Sequence, residues 1–179
     1  MSTRIAVVTT LLAAAALVNP ARTGAGECGD DVGGIRVACA CGDTVVSDTV
    51  LEPADPIFTA RCPRDGLVVR AADLAETITL DLDGLAIVGT GAGAGIRIES
   101  GGSDGAAILG GHGGRRGEIV AFNVGILARE GRLVRRIESL ALQGNRREGL
   151  DLRTAGAMVI GVHAVRNGSD GLRVIGRGG

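Results

Sequence analysis

The chain has 179 residues with a net charge of −1 and 45% hydrophobic residues; it holds 31 Gly but two Phe, no Trp and no Tyr. That length suits one domain, and its core must come from Val, Ile, Leu and Ala, which suits thin stacked layers better than a bundle or sandwich filled by aromatic rings. The missing rings also remove the stacking platform that neutral sugars and single-stranded nucleic acid use, so no nucleic-acid partner is expected.

Residues 1–25 read as a secretory signal. Arg4 gives a positive start, Ile5 to Val18 is an apolar run of 14 residues, and Pro20 ends it before the small residues Thr23, Gly24 and Ala25. Such a run is too short to cross about 30 Å of hydrocarbon. The chain is therefore expected to be exported, to the periplasm, the cell surface or the medium, with no membrane span. Residues 26–62 then carry Cys28, Cys39, Cys41 and Cys62. An even count in an exported chain predicts two disulfides, and four cysteines allow about three pairings. Zinc is disfavoured because Cys39 and Cys41 are one residue apart and neither His is near.

From residue 63 to 179 the sequence repeats. The unit Gly, apolar, any residue, apolar begins at Gly66, Gly95, Gly125, Gly149 and Gly171. Asn123, Asn145 and Asn167 recur 22 residues apart. Between these markers lie short apolar pieces, among them Ile78 to Leu82, Leu85 to Val88, Ala106 to Leu109, Leu140 to Leu142 and Met158 to Val162. Each piece is too short for a helix, and several alternate apolar with polar as strands do. Gly and Asn between them suit turns at positive φ. One such unit cannot bury its own apolar face, whereas parallel stacking at about 4.8 Å buries it and lays the three Asn into an amide ladder. The fold expected is an all-β right-handed parallel β-helix, a solenoid of about five coils. A leucine-rich repeat lacks its signature here, and tandem βαβ units lack their helices.

The run from Cys41-Gly42-Asp43-Thr44-Val45 through Cys62-Pro63-Arg64-Asp65-Gly66 and Ile78-Thr79-Leu80-Asp81-Leu82-Asp83-Gly84 to Gly95-Ile96-Arg97-Ile98 resembles the opening of bacterial right-handed parallel β-helix repeat proteins of the pectate-lyase-like superfamily. The resemblance covers roughly residues 38–176. It implies that Cys41 pairs with Cys62 and Cys28 with Cys39, giving a disulfide-clipped N-terminal cap. That superfamily includes polysaccharide lyases, hydrolases and epimerases as well as proteins without assigned activity, so the fold does not choose a function.

Asp81 and Asp83 are two apart on an expected strand and should share a face, the weak candidates for a catalytic pair or a Ca²⁺ contact. The plainer reading is the wet side of a strand whose inner side is Ile78, Leu80 and Leu82. No metal or cofactor is otherwise indicated. Gly111-His112-Gly113 matches one short element of β-helix pectin hydrolases, but the companion elements of that family are absent. His163 lies in an apolar strand. Asp151 and Arg173 occupy equivalent repeat positions and should be outward neighbours.

Residues 26–114 hold 14 acids and five Arg, a net of −9, while residues 115–179 hold six acids and 12 Arg, a net of +6. Arg129, Arg132, Arg135, Arg136, Arg146, Arg147 and Arg153 form the densest basic run. Guanidinium forks suit the carboxylates of an acidic polysaccharide, and Arg129, Arg132, Arg135, Arg136 and Arg147 are the candidate substrate contacts. A solvated basic face is the plainer alternative. The sequence stops right after a repeat unit, so its last coil is expected to lack a polar cap and to self-associate or to continue in further coils. The function expected is an exported scaffold without catalysis, with a polysaccharide-active enzyme on uronate polymers as the alternative.

Overall fold

The computed structural model describes residues 25–70, 77–99, 105–129, 131, 133–154 and 156–176. The expected signal segment lies outside these residues except for Ala25.

The described residues form an all-β parallel solenoid with a single short 3-10 helix at Pro56–Phe58. Three strands belong to the cap: β1 (Glu27–Cys28), β2 (Thr44–Val45) and β3 (Thr49–Val50). The first coil is β4 (Leu67–Val69), β5 (Ile78–Asp81) and β6 (Ala86–Val88); the second is β7 (Ala94–Ile98), β8 (Ala106–Leu109) and β9 (Gly117–Val120). The third is β10 (Val124–Ala128), β11 (Val134–Glu138) and β12 (Leu140–Gln143), and the fourth is β13 (Leu150–Leu152), β14 (Met158–Ile160) and β15 (His163–Val165). Strand β16 (Leu172–Val174) opens the next coil. There are thus four complete coils among the described residues, where about five were expected.

Like strands stack in three parallel sheets. The seven-stranded sheet runs β1-β2-β4-β7-β10-β13-β16, the five-stranded sheet β14-β11-β8-β5-β3, and the four-stranded sheet β15-β12-β9-β6. Register places Leu67 on Ile96, Ile96 on Ile126, Ile126 on Leu150 and Leu150 on Leu172. The first four of these side chains are fully buried. The same aliphatic column recurs on the other sheets, with Ile78, Leu80, Leu82, Ile87, Ile108, Ile119, Ile137 and Leu142 inside. Each strand offers only one to three inward residues, so burial, worth about 25 cal/mol per Å² of apolar surface, accrues by stacking and not within a coil.

The repeat glycines serve a different purpose from the one their position suggests. Gly66, Gly95, Gly125, Gly149 and Gly171 are absent from the positive-φ set, which instead holds loop positions such as Gly113, Gly114 and Gly144. Crowding is what excludes a side chain there: a Cβ on Gly66 would sit 2.3 Å from the Gly95 carbonyl oxygen.

At the corner between the four- and seven-stranded sheets, Asn145 and Asn167 form the amide ladder. Asn145 Nδ2 donates to Asn167 Oδ1 at 3.0 Å, Asn167 Nδ2 donates to the Leu142 carbonyl at 3.0 Å, and Asn145 Oδ1 accepts from the Phe122 amide at 3.0 Å. Asn123 stands one position past the ladder. The Arg146 and Gly168 amides bond the Phe122 and Asn145 carbonyls, so Phe122 stacks below Asn145, and its ring fills the coil interior.

The cap is cross-linked covalently and ionically. Cys28 bonds Cys39 and Cys41 bonds Cys62, the pairing the resemblance implied. Arg36 joins three carboxylates, lying 3.2 Å from Asp30, 3.4 Å from Glu52 and 3.2 Å from the buried Asp55. The Cys41–Cys62 bond spans 21 residues and ties the cap to the corner of the first coil. A Cys41→Ser, Cys62→Ser double variant is expected to lose about 2–3 kcal/mol in urea unfolding through the freed loop entropy. A loss under about 1 kcal/mol would mean that packing alone seats the cap.

Candidate functional site

The outward face of the five-stranded sheet carries a polar groove. In register, Thr79 lies beside Ala107 and Ala107 beside Arg136, while Asp81 lies beside Leu109 and Leu109 beside Glu138. Ala107 is short, so the sheet is hollowed between Thr79 and Arg136. The glycine-rich loop after β8 forms one wall with Gly111, His112, Gly113 and Gly114, and Ser139 closes another; the hollow measures about 560 Å³.

Asp81 ends β5 and is 1% exposed despite facing outward. Its Oδ1 accepts from the Asp83 amide at 2.8 Å. Its Oδ2 lies 2.7 Å from His112 Nδ1. The distance is that of an ion pair, but the ring N–H is not aimed at Oδ2, which lacks a well-directed hydrogen bond. The imidazole itself is 74% exposed, so an accessible ring stands beside a buried carboxylate. The loop reaches Asp81 because it folds back on the coil below: the Gly84 amide donates to the Gly110 carbonyl at 2.6 Å, and a Cβ on Gly111 would sit 2.8 Å from that same amide nitrogen.

The two acids of the expected pair take different partners for a local reason. Alternation runs through Ile78, Leu80 and Leu82, all buried, but the strand ends at Asp81. Asp83 takes φ of 47° in a turn with Gly84, and its carboxylate pairs with Arg115, whose Nη1 donates to Oδ2 at 3.2 Å. The two acids therefore have separate partners, His112 and Arg115.

The predicted basic cluster is dispersed. A register shift between Val134 and Arg136 breaks alternation in β11, so Arg135 and Arg136 are both exposed. Such a bulge re-aims a side chain, and here it sets Arg136 in the groove, paired with Glu138. Arg147 lies elsewhere, 3.2 Å from the buried Glu148, and Arg129 is exposed at the exit of β10. Arg132 lies outside the described residues. Asp151 and Arg173 are register neighbours on β13 and β16. Their charges go elsewhere: Asp151 meets Arg153 at 3.3 Å and Arg173 meets Glu148 at 3.8 Å. His163 is exposed on β15, where its Nε2 lies 3.1 Å from Arg116 Nη2.

A second hollow of about 810 Å³ beside the cap is acidic, with Asp30, Asp31 and Asp48 on its lining. Those carboxylates accept from the Val50, Gly34 and Thr79 amides, so they brace the backbone. Among the described residues no group of three or more His, Cys, Asp or Glu is arranged to hold a metal ion, and no helix is long and apolar enough to cross a membrane. The Asp81–His112 contact was missed in the sequence, although a histidine among four glycines beside an expected strand end was a visible marker.

Comparison with protein-family models, curated proteins and solved structures finds no match.

Proposed function

We propose that the chain is an exported β-helix scaffold without catalytic activity, a surface or extracellular protein akin to the bacterial pectate-lyase-like superfamily. The commitment of its carboxylates carries this reading. Asp81 accepts from the Asp83 amide and lies against His112, Asp83 pairs with Arg115, and in the groove Glu138 pairs with Arg136. Glycosidic hydrolysis by paired carboxylates needs one to deliver a proton and the other to face the reacting carbon or its water. Acids turned to separate basic partners do neither. The two disulfides fit an oxidising compartment, and the glycine repeat fits the superfamily.

The oxidised protein is expected to release no unsaturated product and no new reducing ends from pectate, alginate or other uronate polymers, with or without Ca²⁺. Turnover on any of them would overturn the scaffold reading.

One observation favours the alternative, a polysaccharide-active enzyme. His112 and Arg136 face the same groove, an accessible imidazole next to a buried acid and a fork suited to carboxylates. On that reading turnover appears in the same panel and falls about 100-fold or more in His112→Ala, the range typical of a general base.

A further inference from the structure

The ladder corner carries a second concentration of positive charge, away from the groove. A hollow of about 340 Å³ lies there, with Arg61, Thr90, Gly91 and Arg146 on its lining. Arg36, Arg97, Arg115 and Arg136 each meet a carboxylate. Arg61 and Arg146 meet none among the described residues, though both are exposed and face one hollow. Two unneutralised guanidinium groups sharing a concavity repel each other, and an anion between them relieves that repulsion.

The fold also anchors both side chains at their roots. Arg61 precedes Cys62, which is bonded to Cys41 and whose amide donates to the Val88 carbonyl at 2.8 Å. Arg146 follows the ladder residue Asn145, and its own amide donates to the Phe122 carbonyl at 2.8 Å. Its guanidinium lies against the bare Cα of Gly91: a Cβ there would sit 2.3 Å from Nε, 2.6 Å from Cζ and 2.7 Å from Nη2. Gly91 holds φ of 94°, a backbone that itself favours glycine. The glycine thus makes the seat for the guanidinium. The Thr90 hydroxyl, 3.4 Å from the Cys62 and Pro63 carbonyls, makes only long contacts at the same hollow.

We propose that this corner is an oxyanion site, in which Arg61 and Arg146 with the Thr90 hydroxyl hold a phosphate or sulfate group. Two forks and a hydroxyl lining one hollow from separate parts of the chain match the several oxygens of a tetrahedral anion better than the two of a carboxylate. The group is either an inorganic ion or an ester on a saccharide, and the chemistry of recognition is shared.

The test titrates the oxidised full chain with inorganic phosphate, inorganic sulfate and a sulfated disaccharide, at ionic strength held constant with chloride, reading the arginine Nε–H resonances by NMR. Saturable shifts at Arg61 and Arg146 are expected, with affinity weakened about tenfold by Arg61→Gln, as loss of a charge-assisted contact implies. Gly91→Ala, which unseats Arg146, should weaken it too, while Arg116→Gln leaves it unchanged. Tighter binding of the disaccharide than of sulfate identifies an esterified ligand, and equal binding identifies the free ion. Shifts that chloride alone reproduces, or that Arg116→Gln reduces as much as Arg61→Gln, overturn the site.

Discussion

An Asn145→Ala variant is expected to lose about 3–5 kcal/mol of stability, because it strips partners from buried polar groups and opens a cavity as well. Asn145 is 1% exposed. Its Oδ1 is the acceptor for the Phe122 amide and its Nδ2 the donor to Asn167 Oδ1. After truncation the Phe122 amide has no partner in an interior that water reaches poorly, while Asn167 Oδ1 keeps the Asn145 amide at 3.0 Å. Asn145→Asp should fare little better, since a carboxylate there faces the Asn167 amide oxygen in place of a donor. Urea unfolding followed by circular dichroism measures both variants. A loss under about 1 kcal/mol for the alanine would mean that water takes the place of the side chain and that the ladder is dispensable.

The ladder also marks how far the sequence can be read. The repeat of Gly-apolar-x-apolar is legible because each copy starts a strand of the same sheet. Gly66, Gly95, Gly125, Gly149 and Gly171 lead into or lie within β4, β7, β10, β13 and β16. The 22-residue spacing of asparagines is a less faithful guide. Asn145 and Asn167 each precede their repeat glycine by four residues, whereas Asn123 precedes Gly125 by two. The shorter interval shifts Asn123 past the corner and leaves the ladder position to Phe122. Counting back four from Gly125 reaches Ala121, so the glycine shows Asn123 to be out of step without naming Phe122 as the residue below Asn145.

For the groove, legibility divides by distance along the chain. Arg136 and Glu138, like Asp151 and Arg153, are two apart and share a strand face, so their ion pairs follow from the pleat alone. Those pairs neutralise part of the basic run that a count of charges makes look open. The contact of Asp81 with His112 joins two coils and depends on a loop returning over the coil below, which no period encodes. The bulge in β11 is equally hidden: Val134-Arg135-Arg136-Ile137 alternates poorly either way, and only pairing with Ala106 and Ala107 decides which residues face out.

Gly125→Ala is expected to cost about 4 kcal/mol, at the severe end of overpacking because the obstacle is backbone. The added Cβ would stand 2.3 Å from the Gly149 carbonyl oxygen and 3.1 Å from Asn145 Nδ2. That oxygen accepts from the Ile126 amide at 2.9 Å, and the Gly125 amide donates to the Glu148 carbonyl at 3.1 Å. Neither obstacle is the free end of a flexible chain, so relief requires coils three and four to separate locally, at the cost of these ladder bonds and of the amide ladder beside them. Gly176→Ala is the matched comparison: it lacks positive φ, it is exposed, and its nearest neighbour is the Thr154 carbonyl oxygen at 3.9 Å. That change is expected within about 0.5 kcal/mol of the parent, as for most surface substitutions. Equal effects from the two substitutions would mean that the neighbouring coil yields and that its close approach does not exclude a side chain. A wide difference would mean that it is kept because successive coils approach too closely at that corner for any side chain.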